Sequence, residues 1–350
     1  MSTPPAKTSV APCLEVGDEA LVRLKPSADE NYQDSVVLVW WDAANQIGGF
    51  HRLGHEVSKE KGNFATLWTN IVTPTGIFKR TQSIPLREQD NLPGGGFGCG
   101  DDTCTVEYKD GQHIWTINEP DQGLTARLVH KDTGPHDTDI PGVLTGTLTH
   151  AGKTYQIRNG LSIRDHGWGV RIWGAALLSH RWIVGTAGSD FSIIIVAWHS
   201  ADDQYAKFGW VVRNKVVTAA KAIDIATYVE DDSPTNRGGK TEVELVTGEK
   251  YVINWEPVAK AFLAHHRGVS NLDRLCSFKA VGDGKEFNGF GDYENTANIS
   301  AGTRKPSLMI SSVNQDGFTP LTNILCHIKL VSARNRVSNH IVMELDSSYL

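Results

Sequence analysis

Short β-branched and aromatic runs, each closed by Gly, Asp, Asn or Pro, follow one another through most of this chain. SVVLVWW (35–41), NFATLWTNIVT (63–73), GIFKRTQSI (76–84), TCTVEYKD (103–110), HIWTINE (113–119) and LTARLVHKD (124–132) fill the first half. KTYQIRNGLSIRDHGW (153–168), HRWIVGTAG (180–188), DFSIIIVAWHS (190–200), FGWVVRN (208–214), TEVELVTGEKYVINWEP (241–257) and NILCHIKLV (323–331) continue the pattern. Branched and aromatic side chains fit a pleated surface, and frequent turn formers limit strand length. The spacing predicts an all-β protein, sandwich or barrel. VVTAAKAIDIATYVE (216–230) holds neither period cleanly and is read as strand from its neighbours. Short helices are expected near Asp18–Leu24 and Pro257–His265.

With 350 residues the chain is long enough for two domains of about 100–200 residues each. SVVLVWWDAANQIGGF from Ser35 and SIIIVAWHSADDQYAKF from Ser192 look alike, as expected of a duplicated β-unit. DTGPHDTDIPG (132–142) is a turn-rich connection, and the seam is expected near 140–160. The expected organisation is a loose arm over 1–15, a first domain over 16–145 and a second over 146–350.

Composition narrows the function. A formal charge of −6 with no block of like charge argues against a nucleic-acid partner. MSTPPAKTSVAP lacks the apolar stretch of a secretory signal, and IIIVAW (193–198) falls far short of the roughly 20 residues that span a bilayer. A cytoplasmic protein without a membrane span is expected. Five scattered cysteines, Cys13, Cys99, Cys104, Cys276 and Cys326, are no disulfide framework. CGDDTC lacks a second ligand pair, and His51 and His55 do not lie in a helical context, so no metal is expected. PGGGFGCG (93–100) matches no nucleotide loop and reads as a wide turn. No cofactor is expected.

The densest chemistry is SIRDHGWGVRIWG (162–174), with Asp165, His166, Trp168, Arg171 and Trp173 in thirteen positions. In a strand, Ile163, Asp165 and Gly167 share one face, and Arg164, His166 and Trp168 the other. A carboxyl pressed against apolar rings has a raised pKa and can serve as a general acid. The competing reading pairs Asp165 with Arg164 or Arg171 in a purely structural role. His180 is expected near His166 if their strands pair. NGFGDYENTAN (288–298) offers Tyr293 and Glu294, and WWDAANQIGGFHRLGHE (40–56) offers Trp41 and His51, with Asp42 read as a turn former.

RDHGWGVR with Trp173 resembles the Asp-His-x-Trp-Gly signature of proteins built from two lipocalin-like β-domains. That group includes the carotenoid 1,2-hydratases (hydroxyneurosporene synthases) and, more distantly, fungal Diels–Alderases. NYQDSVVLVWWDAANQIGGFHRLG resembles the opening of the first domain, RNGLSIRDHGWGVRIW the opening of the second, and GFGDYEN its late glycine-rich segment. The third position of the signature is Gly167 here, where the family often has a larger or polar residue. The resemblance implies two tandem lipocalin-like antiparallel β-barrels or half-barrels with a ligand site at their junction. It also implies a cofactor-independent lyase, hydratase or isomerase acting on a hydrophobic small molecule such as a terpenoid, steroid, polyketide or aromatic. Asp165 is the implied acid, with His166, Tyr293 and Glu294 as its catalytic company. Trp41, His51, Trp168, Arg171, Trp173 and His180 are the expected substrate-binding residues. A carrier of lipophilic ligands and a pericyclase working by pocket shape are the alternatives. A monomer and a homodimer fit equally.

Overall fold

The computed structural model describes residues 22–24, 29–134, 139–171, 177–200, 205–229 and 235–297. The expected arm, Cys13, Trp173, Cys326 and the run 323–331 lie outside these residues. The first sheet contains β1 (Tyr32–Asp42), β2 (Ile47–Ser58), β3 (Gly62–Thr73), β4 (Gly76–Pro85), β5 (Asn91–Leu92), β6 (Gly96–Gly98), β7 (Cys104–Lys109), β8 (Gln112–Glu119), β9 (Leu124–Asp132), β10 (Asp139–His150) and β11 (Lys153–Val170). The second contains β12 (Leu177–Thr186), β13 (Ser192–Ser200), β14 (Tyr205–Arg213), β15 (Val216–Val229), β16 (Asn236–Leu245), β17 (Lys250–Pro257), β18 (Phe262–His266), β19 (Val269–Asp273), β20 (Leu275–Gly282) and β21 (Lys285–Ala297). No α-helix occurs among the described residues, so none is long and apolar enough to cross a membrane.

The first sheet runs β4-β3-β2-β1-β11-β10-β9-β8-β7-β6-β5 and remains open, a half-barrel. In the second, β12 pairs with both β13 and β21, which closes eight strands into a barrel. The β18–β19 hairpin extends β21 at its C-terminal end. The expected lipocalin-like all-β architecture is therefore present.

Several expectations need correction. β10 and β11 belong to the first sheet, so the sheets part at 171–176, not at 145–146. Antiparallel pairing of β11 with β1 over Tyr32–Trp41 holds RDHGW there as the last strand of the first sheet rather than the opening of the second. In topology β1 corresponds to β12, since each pairs with its successor and with the last long strand of its sheet. The look-alike at Ser192 lies on β13, one strand later. Pro257–His265 forms the end of β17 and most of β18, and residues 22–24 of the expected first helix are non-helical. Backbone pairing satisfied both segments instead.

Three cores follow from strand alternation. On β1, Val36, Leu38 and Trp40 point into the half-barrel, while Val37, Val39 and Trp41 point to the second sheet. Ile183, Ile195, Trp255, Phe278 and Tyr293 help fill the barrel. β1 is thus buried on both faces, which explains its unbroken apolar run. Between the sheets, Trp41 stacks on Phe290 and Phe50 packs on Phe262, with ring centroids 6.3 and 5.7 Å apart.

A buried ion cluster also ties the sheets together. Glu56 Oε1 accepts from Arg52 Nη2 at 2.9 Å, and its Oε2 accepts from Arg267 Nε at 2.8 Å. His266 Nε2 lies 3.2 Å from the same Oε2. Burial by itself raises the Glu56 pKa, but Arg52, His266 and Arg267 outweigh it and hold the carboxyl far below its ordinary value. A group depressed in this way stabilises the fold above its unfolded pKa of about 4.3, and that contribution fades as pH falls below it. Glu56→Gln strands buried cations and is expected to cost about 3–5 kcal/mol in urea unfolding at pH 7. The difference from wild type should shrink below about pH 4, where the native carboxylate loses its advantage.

Candidate active site at the junction of the two sheets

The face that the first sheet turns toward the second is built from alternate residues of three neighbouring strands. β11 contributes Ile163, Asp165 and Gly167, β1 contributes Ser35, Val37 and Val39, and β2 contributes Phe50, Arg52 and Gly54. From the second sheet, β12 presents His180, Trp182 and Val184, and β21 presents Phe290, Asp292, Glu294 and Thr296. Trp182 Nε1 donates to Asp139 Oδ1 across the junction at 2.8 Å. Asp139 is the strand partner of Asp165, and Trp182 that of Glu294. The Glu294 row therefore comes opposite the Asp165 row.

Asp165 lies deep in this junction and keeps partial contact with solvent. Burial raises its pKa more than Arg171, His166, Arg164 and Arg52 lower it, leaving it at about 6. Such a carboxyl carries a proton for a substantial fraction of time near neutrality and can deliver it. Opposite, Glu294 Oε1 accepts from Thr296 Oγ1 and lies 3.1 Å from His180 Nδ1. Asp273 and Asp292 are both buried on this face. Burial, joined by the charges of Asp292 and Glu294 at Asp273 and by that of Glu294 at Asp292, pushes both carboxyls well above the usual carboxylate range. Trp182, Val196, Phe208 and Trp210 extend an apolar wall across β12, β13 and β14, with the last two rings stacked at 6.5 Å.

Of the residues singled out from sequence, the junction gathers Asp165, Glu294, His180, Trp41 and Arg171. The other described ones lie elsewhere. His166 and Trp168 share the opposite face of β11, where His166 Nε2 is 2.6 Å from Asp34 Oδ1. His51 accepts from Trp40 Nε1 at 2.9 Å inside the half-barrel. Tyr293 points into the closed barrel and bonds Thr227 Oγ1 at 2.8 Å, on the face away from Glu294. β12 does not pair with β11, so pairing does not bring His180 to His166. Asp42 serves as the expected turn former, accepting from Ala44 N and Asn45 Nδ2. A cavity of about 190 Å³ lies on the half-barrel side, walled in part by Arg23, Tyr32, Asp34 and His55.

Sequence reasoning missed Arg52, Asp139, Trp182, Asp273 and Asp292. Alternation within GDYEN was a usable signal, since it puts Asp292 with Glu294 and sends Tyr293 the other way. No local signal marks Arg52 or Asp139, whose place depends on strand pairing.

Two stacked lipocalin-like β-units with an acid-bearing junction define the class. Residues 17–299 match the model of a family described as a domain of unknown function, DUF7064, and the chain belongs to that family. No curated protein matches the sequence. The solved structure of CghA has a TM-score of 0.56 at 11% identity, over 83% of this chain and 98% of its own. A putative AttH from Nitrosomonas europaea gives 0.58 at 12%, over 83% and 100%. Kievitone hydratase from Nectria haematococca gives 0.58 at 8%, over 83% and 96%. At these identities the likeness is one of fold.

A raised carboxyl pKa also leaves a mark on stability. The native state binds the Asp165 proton more tightly than the unfolded chain, whose Asp titrates near about 3.9. This contribution is therefore fully present below about pH 4 and is lost as pH rises through about 6. Asp165→Asn should be more stable than wild type at pH 7 by about 1–3 kcal/mol and lose that slope. Urea unfolding from pH 4 to 7 measures both, and a less stable variant at pH 7 would contradict the assignment.

Proposed function

We propose that this protein is a cofactor-independent lyase, hydratase or isomerase that acts on a hydrophobic small molecule at the junction. The observation that carries this reading is Asp165, a carboxyl with a pKa of about 6 whose strand partner Asp139 accepts from Trp182 of the facing sheet. Its proton adds to one carbon of a carbon–carbon double bond and leaves a cation on the other. Tryptophan faces stabilise such a cation without forming a bond to it. Water then adds and loses a proton to the Glu294–His180 pair, completing a hydration. Loss of a neighbouring carbon-bound proton to the same pair gives an isomerisation instead. That a kievitone hydratase has this fold supports the reading.

A positioned acid contributes about 10²–10⁴ in rate, or roughly 3–5 kcal/mol of barrier. The reactive form of Asp165 is protonated, so its share falls about tenfold per pH unit above 6. Asp165→Asn is expected to lower turnover at least about a hundredfold while preserving the fold. Incubating wild type and variant with a lipophilic extract of the source organism, followed by mass spectrometry, finds the substrate as the species only wild type consumes. A mass gain of one water marks hydration, and an unchanged mass marks isomerisation. Equal conversion by the two proteins would remove the acid and leave the shape-based pericyclase. Retention of a ligand with no conversion by either would favour the carrier.

A further inference from the structure

Asp165 sits beside an arrangement that a simple proton donor does not require. Gly54, Ser35 and Gly167 are cross-strand neighbours on β2, β1 and β11, one step along the junction from Arg52, Val37 and Asp165. The two glycines leave room that guanidinium groups occupy. A Cβ on Gly54 would lie 3.1 Å from both Arg52 Nη1 and Nη2, and one on Gly167 would lie 3.0 Å from Arg171 Nη2. That second Cβ would also lie 4.0 Å from Asp165 Oδ2. Two cations thus rest on the floor of the junction on either side of Ser35, next to the acid.

Like charges held together in a desolvated place repel, and a counter-charge offsets that cost. Glu56 serves Arg52 but shares its charge with Arg267. Arg52 is only 5% exposed, its Nη2 is committed to Glu56, and its Nη1 has no hydrogen-bond partner. Protonating Asp165, which an acid role requires, removes a negative charge that faces Arg171. The site is therefore most cationic in the state that reacts.

We propose that the junction seats a carboxylate of its apolar substrate between Arg52 and Arg171, beside Asp165. This rests on the reading of the junction as the active site and names the substrate class: an apolar acid rather than a neutral hydrocarbon or alcohol. Arg52 Nη1 donates to the carboxylate, Arg171 flanks it, and the apolar body extends along the wall of Trp182 and Trp210. The bound anion offsets the charge that protonation of Asp165 uncovers, so binding and loading of the acid favour each other.

Dodecanoate and dodecan-1-ol, which share a chain and differ in the head group, are the probes. Their binding to the full chain at pH 7 is followed by tryptophan fluorescence. Dodecanoate is expected to bind at least about tenfold more tightly, the margin of a lost charge-assisted hydrogen bond. Arg52→Met should erase that margin, and Arg52→Lys, which keeps a cation beside Glu56, should keep part of it. Equal binding of acid and alcohol by wild type, or no binding of dodecanoate, overturns the proposal without relying on any variant. So does an Arg52→Met protein that folds and keeps the full preference. Asp165→Asn should retain the preference for dodecanoate whatever its effect on turnover, so the seat and the acid fail separately.

Discussion

The pairing of β11 with β1 is the constraint on which the rest of the molecule depends. It brings residue 170 back beside residue 32 and makes one face of the two strands the partner of the second sheet. Had β11 opened the second sheet, Asp165 and the Arg52–Glu56 cluster would occupy different units. As built, one antiparallel register places Arg52, Val37, Asp165 and Asp139 in a single row. Trp182 then crosses to that row from the other side.

The junction combines two kinds of interaction that usually exclude each other. Stacked rings and branched side chains bury apolar area and hold the sheets together. Among them lie several carboxyls and arginines whose desolvation costs free energy. Glu56 lowers that cost by accepting from cations on both units. Asp273 and Asp292 lie at the opposite extreme, pushed well above the usual carboxylate range by burial and by the nearby Glu294 charge. Asp165 falls between these extremes, because arginines offset part of what burial imposes. Protons near a neutral-pH threshold are useful in catalysis for that reason.

The half-barrel interior presents a contrast. His166 belongs to the same signature as Asp165, yet strand alternation sends it to Asp34 and the opposite face. The described residues of what looked like one cluster in the sequence are divided by a sheet one residue thick. The short spacing that drew notice to RDHGW was real chemistry serving two separate surroundings.

Much of the fold was legible because local rules decide it. Branched and aromatic runs with turn formers between them specify strands, and alternation in a strand told Asp165 from His166 before any contact was known. Two errors came from asking local patterns for long-range answers: the Ser35 and Ser192 runs look alike but occupy non-equivalent strands, and a turn-rich stretch suggested a seam that β10 spans. By itself the sequence determined the all-β character, the strand positions and which side of β11 carries the carboxyl. Only the tertiary structure decided that Arg52 joins the Asp165 row and that Trp182 and Glu294 come opposite it, because strand register within each sheet and packing between the two sheets set these neighbours and no short-range periodicity encodes either.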